Sequence, residues 1–124
     1  VIVDSMGVLR DLYALSDLAY VGGSLIKRGG HNLMEPAAFS KPIIAGPYNF
    51  NFRYEVMALN RDSAIKIVNG PNELQAVIES WNSNPSEFKE MGIRARKVLD
   101  SMSGASKRTI EALQKLGFLP KCQM

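Results

Sequence analysis

Residues 18–39 read LAYVGGSLIKRGGHNLMEPAAF, and this stretch decides the fold class. An apolar run, residues 18–21, ends in a first pair of glycines, and a second pair, Gly29 and Gly30, comes directly before a helix-compatible segment. In a parallel α/β sheet, this order of strand, glycine loop and helix presents backbone N–H groups to a phosphate. The stretch therefore predicts a βα unit whose glycine loop, residues 22–30, binds an anion.

Glu35 makes the expected ligand more specific. It follows Asn32 by three residues and so lies about one turn into the predicted helix, residues 32–39. A carboxylate there can reach the hydroxyls of a ribose attached to the bound phosphate. Support of the helix start, worth about 0.3–1 kcal/mol, is the alternative explanation for this carboxylate. A phosphate together with a ribose predicts a nucleotide ligand.

The remaining sequence continues the alternation of strands and helices. Strands are predicted at residues 1–3, 18–21, 41–46 and 63–68, and helices at residues 8–16, 32–39, 53–60 and 73–81. After Pro85, apolar residues recur every three or four positions, which predicts two final helices that meet at Ser103 and Gly104. The order of elements predicts an α/β fold in which helices flank a parallel sheet and two helices end the chain.

Composition limits the classes of function. The 124 residues predict one domain, and 46% hydrophobic and 22% charged residues are typical of a globular protein. The net charge of +3 is spread along the chain, so no basic face for nucleic acid is expected. Cys122 is the single cysteine, which predicts no disulfide, no metal centre and a reducing compartment. No apolar run reaches the length of about 20 residues that crosses a bilayer. The sequence starts at Val1, inside a predicted strand, which indicates a piece of a longer protein.

Two loops are expected to form one cleft, because residues 4–8 and residues 22–35 both follow predicted strands at their carboxyl ends. Each candidate in the cleft has a simpler interpretation beside the functional one. The glycines permit turns with positive φ, Lys27 and Arg28 are typical solvated charges, and Asn32 is a typical helix cap. His31, the single histidine, is predicted to be neutral near a helix start and to have a hydrogen-bonding role.

The first half of the chain resembles one family in detail. In order along the chain, the matching segments are DSMG (4–7), LY (12–13), SDLAYVGGSL (16–25), RGGHN (28–32), EPAA (35–38), KPI (41–43), GP (46–47) and NF (51–52). Together they resemble the carboxyl-terminal half of 3-deoxy-D-manno-octulosonic acid (Kdo) transferases. The resemblance covers roughly the first half of the sequence and is weaker beyond it.

This resemblance implies a fold and an activity. It implies the Rossmann-like carboxyl-terminal half of an inverting GT-B glycosyltransferase, which transfers Kdo from CMP-Kdo to a lipid A precursor in lipopolysaccharide biosynthesis. The amino-terminal half of such enzymes carries the membrane anchor, the acceptor surface and the general base, at the cytoplasmic face of the bacterial inner membrane. Residues 1–124 would then form the donor-binding domain, without a catalytic base, a metal or a cofactor, and inactive by itself.

The resemblance also implies donor-binding positions. The turn Met6-Gly7-Val8 is similar to the nucleotide-contacting loop of the family, and Asn32-Leu33-Met34-Glu35 is similar to the helix start that meets ribose and phosphate. The family commonly has an acidic residue where this chain has Val8, and proline where it has Leu33. A further donor loop is expected to include Gly22, Gly23, Ser24, Gly30 and His31.

Two other classes remain open at this point. The first is a GT-B half that uses another donor, such as UDP-N-acetylhexosamine, because those enzymes also combine a glycine loop with a ribose-binding glutamate. The second is a flavodoxin-like binding module whose glycine loop holds a phosphate without catalysis. A preference for CMP over UDP separates the first from a Kdo transferase, and a complete sheet beginning near Val1 is expected only for the second.

Overall fold

Three short parallel strands form the sheet around which the chain folds. The computed structural model describes residues 1–118, apart from the side chains of residues 105 and 106, so Cys122 lies outside the described residues. The strands β1 (Ala19–Val21), β2 (Ile43–Ala45) and β3 (Ile65–Ile67) lie side by side in chain order. Both pairings are parallel, with Val21 opposite Ala45 and Ala45 opposite Ile67. The predicted parallel α/β sheet is confirmed.

Helices connect the strands and close the chain. Helix α1 (Leu9–Leu15) precedes β1, α2 (Met34–Ala38) follows it, and α3 (Arg53–Arg61) leads to β3 after a short 3-10 helix, Phe50–Phe52. Helices α4 (Pro71–Ser83) and α5 (Pro85–Lys115) come last, and each begins with a proline, whose missing N–H costs nothing at the first helical position.

The core lies between the sheet and helices α2 and α5. All three residues of β2 are buried, which is expected of a central strand in a sheet covered on both faces. One apolar cluster contains buried residues of the strands and of both helices. It includes Leu33, which precedes α2, Ala37 in α2, and Ala95 and Val98 in α5. The three-to-four-residue spacing of apolar positions after Pro85 therefore marks the face of α5 that covers the sheet.

Helix α5 also holds the turns that lead into β2 and β3. Ser40 and Ser63 adopt left-handed φ values of 55° and 53° after the ends of α2 and α3. Gly92 lies against the Ser40 carbonyl, where a Cβ would come within 2.1 Å of that oxygen. The Arg94 guanidinium donates two hydrogen bonds to the Ser63 carbonyl, at 3.1 and 2.9 Å. These contacts fix the amino ends of two strands, at the sheet edge opposite the glycine loop.

Two sequence-based expectations about the elements are wrong. Residues 1–3 form no strand: their side chains are exposed, and no ladder hydrogen bonds join them to β1 in the described part of the chain. An apolar run without backbone partners has nothing to hold it extended. Helices are the last elements of the described residues, as predicted, but α5 continues through Ser103 and Gly104 to Lys115 without the predicted break. One glycine costs a helix about 1 kcal/mol, too little to interrupt 31 residues.

Candidate functional site

The glycine loop between β1 and α2 turns back on itself. Gly23, Gly29 and Gly30 have φ values of 73°, 95° and 74°. These values lie in the left-handed region, which residues other than glycine rarely adopt. The Gly30 N–H donates a hydrogen bond of 3.0 Å to the Gly23 carbonyl, which closes the loop. Three of the four glycines therefore have a conformational role in this turn, and the Gly30 N–H is already used within the protein.

Ser24 was expected in the further donor loop, but the structure places it in the interior. Its side chain is fully buried, and its hydroxyl donates to the Val21 carbonyl at 2.8 Å. The same oxygen accepts the Gly46 N–H at 2.8 Å. Because both hydrogen bonds are internal and water has no access, Ser24 holds the loop against the end of β2 and presents no hydroxyl to a ligand.

The start of α2 is only partly as predicted. Asn32 Oδ1 accepts the N–H of Met34, the first residue of α2, at 2.9 Å, but the N-cap position is occupied by Leu33, so Asn32 bonds the helix start from one residue before the cap. Leu33, by contrast, is fully buried in the apolar core, and only its backbone is near the site. The burial of Leu33 is the reason that its side chain cannot serve as a ligand contact. Helix α2 has five residues, fewer than the eight predicted, so its dipole is correspondingly small.

Two neighbouring concave surfaces meet at Leu9, Asn32 and Glu35. The first, which we call the α1 groove, has a volume of about 550 Å³ and lies between α1 and α2; its lining includes Gly7, Arg10, Asn32, Met34, Glu35 and Phe39. The second, which we call the loop cavity, has a volume of about 530 Å³; its lining includes Tyr13, Gly30, His31, Asn32, Glu35 and Phe52. The fold thus brings together the two loops that the sequence predicted to form one cleft.

Other predicted positions lie outside these two surfaces. Gly22 and Gly23 line neither surface, and Met6 and Val8 flank Gly7 without lining either of them. The Met6 side chain is 98% exposed. Lys27 and Arg28 are exposed and line neither surface, which agrees with their interpretation as solvated charges.

The sequence analysis assigned no site role to two polar side chains of α1 that line these surfaces. Arg10 lines the α1 groove, with its guanidinium carbon 5.8 Å from the centre of the Phe39 ring. Tyr13 lines the loop cavity, where burial and, to a smaller extent, the negative charge of Glu35 raise its pKa above the usual value. Arg10 and Tyr13 are three residues apart, so they lie on the same face of α1. This spacing was the sequence signal that could have indicated both side chains together.

Two structural findings concern metals and membranes. Among residues 1–118, no group of three or more His, Cys, Asp and Glu side chains is arranged to hold a metal ion. Within the same residues, no helix has both the length and the apolar character needed to span a bilayer.

Comparison with known proteins identifies similar chains. The 3-deoxy-D-manno-octulosonic acid transferase of Haemophilus influenzae is 35% identical over 113 residues, which is 90% of this chain and 26% of that protein. The chain therefore spans about a quarter of the length of this curated relative. A bifunctional glycosyltransferase/methyltransferase of Fusobacterium nucleatum is 55% identical over a shorter match of 51 residues, 41% of this chain and 8% of that protein. No protein-family model matches the chain.

A solved structure is similar to the fold. The carboxyl-terminal CMP-Kdo binding domain of WaaA from Acinetobacter baumannii matches with a TM-score of 0.73 and 35% sequence identity. The match covers 78% of this chain and 51% of that structure. The similarity therefore includes the arrangement of the sheet and helices.

Proposed function

This chain is homologous to the carboxyl-terminal part of the Kdo transferases, and we propose that it holds the sugar donor, CMP-Kdo, in a glycosyltransferase of lipopolysaccharide biosynthesis. The acceptor is then a lipid A precursor. We place the acceptor surface, the general base and the membrane contact in an amino-terminal half, at the cytoplasmic face of the bacterial inner membrane. The two halves together would form a GT-B enzyme, and residues 1–124 alone would be inactive.

The observation that carries this proposal is the position of Glu35 between two concave surfaces. A nucleotide has its base and its phosphate on opposite sides of the ribose. Glu35 lines both the α1 groove and the loop cavity, which supports a role for its carboxylate as acceptor of hydrogen bonds from the ribose hydroxyls. The phosphate would occupy the loop cavity beside Gly30 and His31, and the base would occupy the α1 groove beside Gly7.

The chemistry proposed for this chain is electrostatic. As the bond between Kdo and the phosphate breaks, negative charge accumulates on CMP, and polar groups fixed around the phosphate stabilise it in the transition state. Besides Glu35, the polar side chains that line the loop cavity are those of Tyr13, His31, Asn32 and Asn51. None of these steps requires this chain to supply a base.

Titration of the 124-residue chain with CMP, followed by NMR, tests the proposal. We expect the largest amide shifts at Gly7, Asn32 and Glu35. Glu35→Gln should weaken CMP binding by about tenfold or more, because a hydrogen bond to a charged group contributes about 1.5–3 kcal/mol. Glu90→Gln is the matched control, since Glu90 is exposed on α5 and lines neither surface. Shifts confined to other surfaces, or equal affinity of the two variants, would contradict the proposal.

A further inference from the structure

Arg10 is a cation on the wall of the α1 groove without an acidic partner. The ion pairs of the described chain join Arg61 to Asp62 and Arg96 to Asp100, and no hydrogen bond within the described residues uses the Arg10 guanidinium. Its one recorded contact is with the Phe39 ring, 5.8 Å from the guanidinium carbon. This contact limits the positions of the guanidinium while leaving its N–H donors unpaired.

The position of Arg10 relative to Glu35 assigns it to one end of a nucleotide. Arg10 lines the α1 groove only, whereas Glu35 lines both surfaces. If the ribose lies at Glu35 and the phosphate in the loop cavity, the base is the part of the ligand that enters the α1 groove. The apolar lining of that groove by Leu9, Met34 and Phe39 is suited to the flat faces of a base.

We propose that Arg10 binds the edge of the pyrimidine base and selects cytosine over uracil. This inference rests on the proposed function and adds a determinant of specificity to it. A guanidinium presents two parallel N–H donors, and neutral cytosine offers two adjacent acceptors, N3 and O2. In uracil the N3 position carries a hydrogen, so one of the two donors of Arg10 would face another donor. In protein–DNA complexes, arginine binds two neighbouring acceptors of guanine, O6 and N7, through two N–H donors in the same way.

The competing role for Arg10 is a charge contact with the phosphate. Such a contact would raise the affinity for CMP and for UMP equally, because their phosphates are identical. Recognition of the base predicts instead that Arg10 changes the ratio of the two affinities. The ratio is therefore the quantity to measure.

The test is a titration of the 124-residue chain with CMP, UMP, cytidine and uridine. We expect the unsubstituted chain to prefer each cytosine compound, and Arg10→Met to weaken CMP binding about tenfold while hardly changing UMP binding, so that the ratio approaches one. Arg10→Lys should also lose the preference, since an ammonium keeps the charge but has no fork. Lys89→Met, which removes an exposed charge from α5 outside both surfaces, should change nothing.

Folding is not expected to limit this experiment. Arg10 is exposed on a helix without buried residues, and methionine has nearly the same helix propensity as arginine. A preference for cytosine compounds that survives Arg10→Met, or an equal loss of CMP and UMP binding, would overturn the role of Arg10 alone. Absence of CMP binding by the unsubstituted chain, or an unchanged affinity in Glu35→Gln, would overturn the proposed function as well.

Discussion

The hydroxyl of Ser24 accepts the backbone N–H of Gly46 at 2.8 Å, across 22 residues of sequence. The backbones of Ser24 and Gly46 are also close together, because a Cβ at Gly46 would lie 2.3 Å from the Ser24 carbonyl oxygen. The Ser24 carbonyl in turn accepts the Tyr48 N–H at 2.8 Å. The loop after β1 and the loop after β2 are therefore joined at the carboxyl edge of the sheet, where the candidate site lies.

Ser24→Ala should lower the free energy of unfolding by about 1–3 kcal/mol, because the buried Gly46 N–H would lose its acceptor. Urea denaturation followed by circular dichroism measures this change. Ser83→Ala is the control: Ser83 is exposed and its hydroxyl bonds only the Glu79 carbonyl of its own helix, so the effect should stay within about 0.5 kcal/mol. Equal effects of the two substitutions would show that the hydrogen bond to Gly46 has no special weight.

Two glycines of α5 should respond to alanine in opposite directions. Gly92→Ala would place a Cβ 2.1 Å from the Ser40 carbonyl oxygen, so we expect a loss of about 1–3 kcal/mol or more from overpacking. A Cβ at Gly104 would have no atom within 4 Å, so Gly104→Ala should stabilise the protein by about 0.8–1 kcal/mol through the higher helix propensity of alanine. Thermal unfolding of both variants measures the two effects, and a shift of the same sign in both would contradict the close contact at Ser40.

Leu33→Ala should affect stability far more than ligand affinity. Because the side chain is fully buried in the core, its truncation should cost about 2–5 kcal/mol in the free energy of unfolding. Leu15→Ala, at a side chain that is 82% exposed, should cost less than about 0.5 kcal/mol. At a temperature where Leu33→Ala remains folded, its affinity for CMP should match that of the unsubstituted chain. A specific loss of CMP affinity without a loss of stability would restore Leu33 as a ligand contact.

The raised pKa of Tyr13 predicts how stability depends on pH. Burial and the charge of Glu35 favour the protonated phenol in the folded chain, so the unfolded chain loses this proton first, at about pH 10. The contribution of Tyr13 to stability is therefore constant below about pH 10 and decreases as the pH rises beyond it, until the folded chain also ionises. As the pH rises above about 10, the melting temperature should decrease less for Tyr13→Phe than for the unsubstituted chain. Tyr54→Phe, at an exposed side chain, is the control, and identical curves for both variants would contradict the assignment.

Local signals in the sequence were sufficient to predict two strands and the start of one helix. Residues 18–21 and 41–46 gave β1 and β2, because short apolar runs that end at glycines are typical of buried parallel strands. Glu35 and Asn32 were placed at the start of α2 by their spacing alone, and the structure brings both to the same concave surfaces. The residues 1–3 carry a similar apolar pattern but form no strand, since a strand needs a neighbour that a local pattern does not specify.

By itself, the sequence determined the parallel α/β architecture and the glycine loop between β1 and α2, because hydrophobic periodicity and glycine placement act over a few residues. Only the tertiary structure decided that the hydroxyl of Ser24 faces Gly46 in the interior, that Leu33 enters the core, and that Arg10 and Tyr13 stand beside Glu35. Each of these outcomes depends on which elements meet in space, and burial against a distant segment is a property that no single stretch of sequence contains.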